Sequence, residues 1–157
     1  MLRGLVIVIS SIVILFHAGC RAGKQNDPSA PLNRVQESQI IRTLALSDRL
    51  DICYSEKQIG KEFISSSTRL QAEAAIIEAK LPRKNAVRAL FVNTVKAYDQ
   101  AAVSALQNAK SSELLPHEKL DALFAMAEKR KTLLRKVLSS PLNEEERKLF
   151  KEWSTTP

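Results

Sequence analysis

The chain has 157 residues, 45% of them hydrophobic and 26% charged, which is enough for one folded core and too short for several domains. Lysine and arginine outnumber aspartate and glutamate by 24 to 17, giving a formal net charge of +7 and a pI near 9.6. That balance suits phosphates, anionic lipid or anionic cell-wall polymer as partners. The two cysteines, Cys20 and Cys53, form no metal-binding cluster, and the last of the four glycines is Gly60.

Arg3 is the only charge before an apolar run over residues 5–16, which is followed by His17-Ala18-Gly19-Cys20. A basic start, roughly 7–15 apolar residues and small residues before a cut make a secretory signal. The run is shorter than the about 20 apolar residues that span a bilayer. Residues 1–19 are therefore expected to be a removed signal. An uncleaved anchor and an ordinary signal cut after Ala22 are the alternatives. Residues 20–33, broken by Pro28 and Pro31, show no periodicity. They read as a tether with a reach near 20 Å if flexible. Residues 34–157 are the expected folded domain.

Alternating strand patterns are absent, and the domain reads as helical throughout. The first helix is expected over residues 34–58, with Ile40, Leu44, Leu50 and Cys53 among its apolar positions. Ser47-Asp48 marks a kink or a new start in it, and Gly60 is its stop signal. Ser65-Ser66-Ser67-Thr68 offers N-cap hydroxyls for a second helix over residues 68–80. Pro82 bars its continuation. The third helix, residues 84–110, has the cleanest stripe, from Val87, Leu90 and Phe91 to Ala105 and Ala109. Its alanine-rich second half implies close approach to a neighbour. Pro116 opens the fourth helix, residues 116–138, where a missing N–H costs nothing. Glu118 and Asp121 come early in it and Arg135 and Lys136 late, as the helix dipole favours. Asn143 with Glu146 has capping-box spacing and opens a short helix over residues 144–153. The expected fold is all-α: an antiparallel bundle of about four main helices plus a short C-terminal one.

The densest charge run is Lys129-Arg130-Lys131, continued by Arg135 and Lys136. It is the expected interaction surface, facing anionic lipid, cell-wall polymer or an acidic partner. The alternative is a solvated face with Arg130 laid across the rim by its aliphatic stem. Cys53 lies among apolar residues and reads as a small buried hydrophobe. His117 reads as a surface residue. Trp153 is either a core plug or an interface anchor. The sequence contains no nucleophile–histidine pair, phosphate-cradling glycine loop or Cys/His metal spacing. No catalytic residue, metal or cofactor is assigned.

Ala18-Gly19-Cys20 after an apolar run resembles the lipobox of bacterial lipoproteins. The resemblance implies that Cys20 is acylated, becomes the mature N-terminus and holds the chain to the lipid bilayer. Arg21 stands where some lipoproteins carry an inner-membrane retention aspartate, which implies the outer membrane, facing the periplasm, in a host that has one. An exported protein of this kind rarely meets nucleic acid, so the expected partner is an envelope protein and the expected role accessory or structural. A second resemblance is to all-helical chorismate mutases. Arg49-Leu50, Lys61, Arg69, Glu73, Leu90-Phe91 and Gln100 are similar in order to that family's pattern. It implies an exported enzyme that binds a small dicarboxylate among its helices and works by electrostatic stabilisation. Gly60 holds the place of the family's first-helix lysine, and Leu70 follows Arg69 where the family has glutamate. This is the alternative reading.

Overall fold

The computed structural model describes residues 30–110 and 116–155. The expected signal segment, Cys20 and most of the tether lie outside the described residues. Within them the chain forms α1 (Arg34–Ser55), α2 (Lys61–Glu78), α3 (Ala86–Lys110), α4 (His117–Ser139) and α5 (Glu144–Thr155). α1 packs on α2 and α3 on α4; α2 then meets α3 and α4 meets α1, closing a four-helix ring. α5 folds back over α3 and α4. The Gln36 amide, at the start of α1, donates to the Lys80 carbonyl just past α2, at 3.0 Å. At the other end the Tyr54 hydroxyl donates to Asp121 of α4 at 2.7 Å, and its ring stacks on Phe124 at 3.8 Å. These ties set α1 antiparallel to both neighbours, so the all-α antiparallel bundle read from the sequence is the fold observed.

The apolar core falls into two clusters. One gathers Leu50, Phe63, Leu70, Tyr98, Ala102 and Phe124; the other gathers Ile40, Leu44, Leu81, Phe91, Leu134 and Trp153. Among the described residues, Leu32 is the first to pack against either cluster. Among the described residues no helix is long and apolar enough to cross a membrane.

Side chains fix most helix starts. Asn33 and Gln36 form a capping box on α1. Asn143 and Glu146 form the one that their spacing predicts on α5, at 2.9 and 2.8 Å. Asn85 accepts from the Val87 and Arg88 N–H groups at the start of α3. Its amide also donates to the Ala30 carbonyl at 2.8 Å, pinning the incoming chain to the α2–α3 turn.

Two boundaries differ from expectation. α2 begins at Lys61, with Gly60 as its N-cap, rather than at Thr68. Phe63 carries the apolar stripe of Leu70 back two turns, and burying it outweighs the capping preference of residues 65–68. Ser66 and Ser67 are consequently buried inside the helix, and Thr68 donates to the Ile64 carbonyl at 3.0 Å. α1 runs unbroken through residue 47 and stops at Ser55. Its stop is a left-handed turn at Lys57, φ 58°. There Gln58 N–H donates to Cys53 O at 2.8 Å and Lys57 N–H to Tyr54 O at 3.0 Å, the Schellman pattern.

A β-carbon at Lys57 works against that φ, and glycine does not carry the cost. Lys57→Gly is therefore expected to stabilise the fold by about 1 kcal/mol, seen as a higher urea midpoint with unchanged slope. An unchanged or lower midpoint would count against the left-handed turn.

Candidate functional site: the basic helix and the groove beside it

Asp48 and Asp51 stand three residues apart on α1, and Lys131 and Arg135 four apart on α4. Both spacings put a pair on one helix face, and the bundle sets the two faces together. The Lys131 side chain, 6% exposed, donates to Asp48 at 2.8 Å and to Asp51. Arg135, one turn on, donates to Asp48 at 2.5 Å. Tyr98 of α3 is fully buried; its hydroxyl donates to Asp51 at 2.7 Å and its ring lies 5.6 Å from the Lys131 ammonium. Ser47 and Thr94, one turn away on α1 and α3, are also buried and donate to the Leu44 and Leu90 carbonyls, each at 2.7 Å. An ammonium taken out of water costs several kcal/mol unless its charge and protons are met. Two carboxylates and an aromatic face meet them here.

The two carboxylates respond oppositely to this setting. Burial works against ionised Asp48, but the hydrogen bonds from Arg135 and Lys131 outweigh it and hold its carboxyl below the usual range. Asp51 is more enclosed, and burial raises its carboxyl despite the bonds from Lys131 and Tyr98. Burial, with the Asp51 charge and hydrogen bond, pushes the Tyr98 phenol far above its ordinary value. Tyr54 is raised to about 12 by burial and by its bond to Asp121. Burial also raises the Cys53 thiol, which is 4% exposed as the sequence suggests.

The expected interaction surface is thus divided. Lys131 is not on an outer face, and Arg135 is committed to α1. Arg130 lies 5.7 Å from the Trp153 ring centroid and donates to the Asn93 carbonyl at 3.1 Å. The Asn93 amide donates in turn to the Trp153 carbonyl at 2.7 Å. These contacts clasp α3, α4 and α5 together, with Trp153 as a core plug, 8% exposed. Lys136 pairs with Glu146 of α5. Of the five cations only Lys129 is exposed without an ion pair among the described residues. The helical period explains the division, because Lys131 follows Ala127 by four and precedes Leu134 by three, within the buried stripe. His117 is exposed, as expected.

Between α4 and α5 lies an open groove of about 350 Å³. Its apolar lining is Leu133, Leu149 and Trp153, and its rim carries Lys129, Lys136 and Glu128. Leu149 is 38% exposed there. The residues of the chorismate-mutase resemblance line no part of it. Arg49 sits near Glu62 at 3.7 Å, and Arg69 near Glu73 at 3.4 Å, on exposed surfaces. Lys61 and Gln100 are exposed, while Leu90 and Phe91 are core residues. Among the described residues no cluster of three or more His, Cys, Asp or Glu is placed to hold a metal ion. Compared with known protein families, with curated proteins and with solved structures, the chain matches none.

Removing one partner of a buried ion pair leaves the other charge uncompensated, so Lys131→Met is expected to cost about 3–5 kcal/mol by urea unfolding. Lys129→Ala is expected to stay within about 0.5 kcal/mol. Equal small effects would contradict the division of the run.

The carboxylates give a pH test with opposite signs. Asp48, lowered in the fold, contributes stability present above its unfolded pKa and lost as pH falls through its folded one. Asp51, raised in the fold, contributes in the other direction, its ionisation costing stability as pH rises above the unfolded value. Urea midpoints between pH 3 and 6 are therefore expected to rise less steeply with pH in Asp48→Asn than in the parent, and more steeply in Asp51→Asn. The reverse order would show that the two environments are misassigned.

Proposed function

We propose that this chain is a membrane-anchored bacterial lipoprotein, acylated at Cys20, whose basic helical domain is a binding module at the cell envelope. The site of action is the periplasmic face of the outer membrane in a host that has one. The role is accessory or structural, through contact with an envelope protein. The anchor rests on the lipobox-like Ala18-Gly19-Cys20. Each buried acyl CH₂ contributes about 0.8 kcal/mol, and two or more chains make attachment stable.

The observation that carries the binding reading is the α4–α5 groove. It joins the partly exposed Leu149 and the largely buried Trp153 to a rim of Lys129, Lys136, Glu128 and Glu146, the combination of apolar anchor site and charged border that protein interfaces use. Its chemistry favours a partner segment with one apolar anchor and one acidic residue placed to meet Lys129, the rim cation that makes no ion pair among the described residues.

Growth with an alkyne fatty acid is expected to label the chain, and Cys20→Ala is expected to abolish the label. Labelling that survives the substitution would remove the anchor. A photo-crosslinking residue at position 149 is expected to capture one discrete envelope protein, and the same residue at the exposed Ile76 of α2 is not. Identical capture from both positions would remove the groove as the binding site.

A further inference from the structure

On α4 only Lys119 and Lys129 are exposed cations without an ion pair among the described residues. A larger group lies toward the end of the bundle where the chain arrives. Asn85 ties Ala30 to the α2–α3 turn, and Gln36 ties the start of α1 to the same turn through Lys80. Around this junction stand Arg34 at the start of α1 and Lys80, Arg83 and Lys84 on the turn, and Arg42 follows about two turns along α1. All five are exposed, and none makes an ion pair among the described residues.

The nearby acids are largely taken: Glu78 by Arg88 at 2.6 Å, Glu144 by Lys148 at 3.7 Å and Glu146 by Lys136. Glu37 and Glu145 remain against the five cations. At the opposite end the exposed lysines, Lys61 and Lys119 among them, alternate with Glu56, Glu62, Glu118 and Asp121. A shallow depression of about 340 Å³ runs down α1 between Arg34 and Arg42. It contains Val35, an apolar side chain 66% exposed between cations.

We infer that this end of the bundle is a docking face for a bilayer containing anionic phospholipid, with Arg34, Arg42, Lys80, Arg83 and Lys84 meeting the headgroup phosphates. The inference rests on the anchoring reading for its geometry. Ala30 is ten residues from Cys20, and ten residues fully extended span about 35 Å. An acylated Cys20 therefore keeps this end of the domain within about 35 Å of the membrane. Each basic residue held at an anionic surface strengthens partitioning roughly fivefold, and salt weakens the attraction by screening.

The test uses residues 21–157, which keep every residue of the two described apolar clusters and carry no lipid. Co-sedimentation with phosphatidylcholine vesicles containing roughly one-third phosphatidylglycerol is expected to recover the chain. Vesicles of phosphatidylcholine alone are not. Lys80→Glu with Arg83→Glu and Lys84→Glu is expected to lower partitioning by more than about 100-fold. Lys61→Glu with Lys110→Glu and Lys119→Glu, the same charge change at the far end, is expected to lower it by less than about 10-fold. Arg34→Gln with Arg42→Gln, on a different element, gives an independent loss of about 25-fold.

Equal losses at the two ends, or no preference for anionic vesicles, would overturn the docking face. Because this chain is unlipidated, such a failure leaves acylation of Cys20 standing. Fatty-acid labelling that survives Cys20→Ala would instead remove the anchor and leave vesicle binding intact.

Discussion

The Lys131 ammonium, held between Asp48 and Asp51 beside the Tyr98 ring, is the contact through which three helices of this bundle agree on their register. Apolar side chains tolerate sliding, because Leu134 against one neighbour is much like Leu134 against the next. A buried charge does not. Moving α4 along α1 by one turn, about 5.4 Å, takes Lys131 away from both carboxylates, and an uncompensated buried charge costs several kcal/mol. The Tyr98 hydroxyl adds α3 to the same constraint. The alanines that follow it, Ala101, Ala102 and Ala105, are buried in one apolar cluster with Leu120, Phe124 and Ala127 of α4, where their small side chains allow close approach.

This interior use of charge decides what is left for the surface. The run that looks most like a basic patch serves mainly the fold: Lys131 and Arg135 go to α1, and Arg130 and Lys136 go to α5. α5 is thereby fastened by a cation–aromatic contact and an ion pair around Trp153. Its far face leaves Leu149 beside Lys129 and Lys136, which makes the groove. Five of the exposed cations that make no ion pair among the described residues lie on α1 and the α2–α3 turn, toward the end where the chain enters the bundle.

The sequence reading was strongest where a signal is local. The 3.6-residue stripes of α3 and α4, the absence of strand alternation and the Asn143–Glu146 box are all contained within a few turns of chain, and each appears in the structure. It failed where a distant residue decides. Residues 65–68 have the composition of an N-cap, but burial of Phe63 carries the helix past them. Ser47-Asp48 interrupts the stripe of α1 and reads as a break, yet Asp48 faces a lysine 83 positions away. Lys131 reads as surface for the same reason, since neither its local run nor its composition shows the two aspartates waiting on α1. A lysine inside an apolar stripe, together with two aspartates at i, i+3 inside another, is the signal that could have joined them. Gly60 reads as a stop because glycine usually supplies the left-handed turn; here Lys57 supplies it.

Lys131 turns inward from the basic run on α4, and the unpaired cations near Ala30 form the proposed bilayer-facing group. Amine acetylation read lysine by lysine in the mass spectrometer tests both halves at once, on the folded chain with and without anionic vesicles. The account predicts that Lys131 resists modification while Lys129, Lys80 and Lys84 react, and that vesicles then protect Lys80 and Lys84 but not Lys61 or Lys119. Modification of Lys131 as fast as Lys129 in the folded chain, or equal protection at both ends of the bundle, would contradict it.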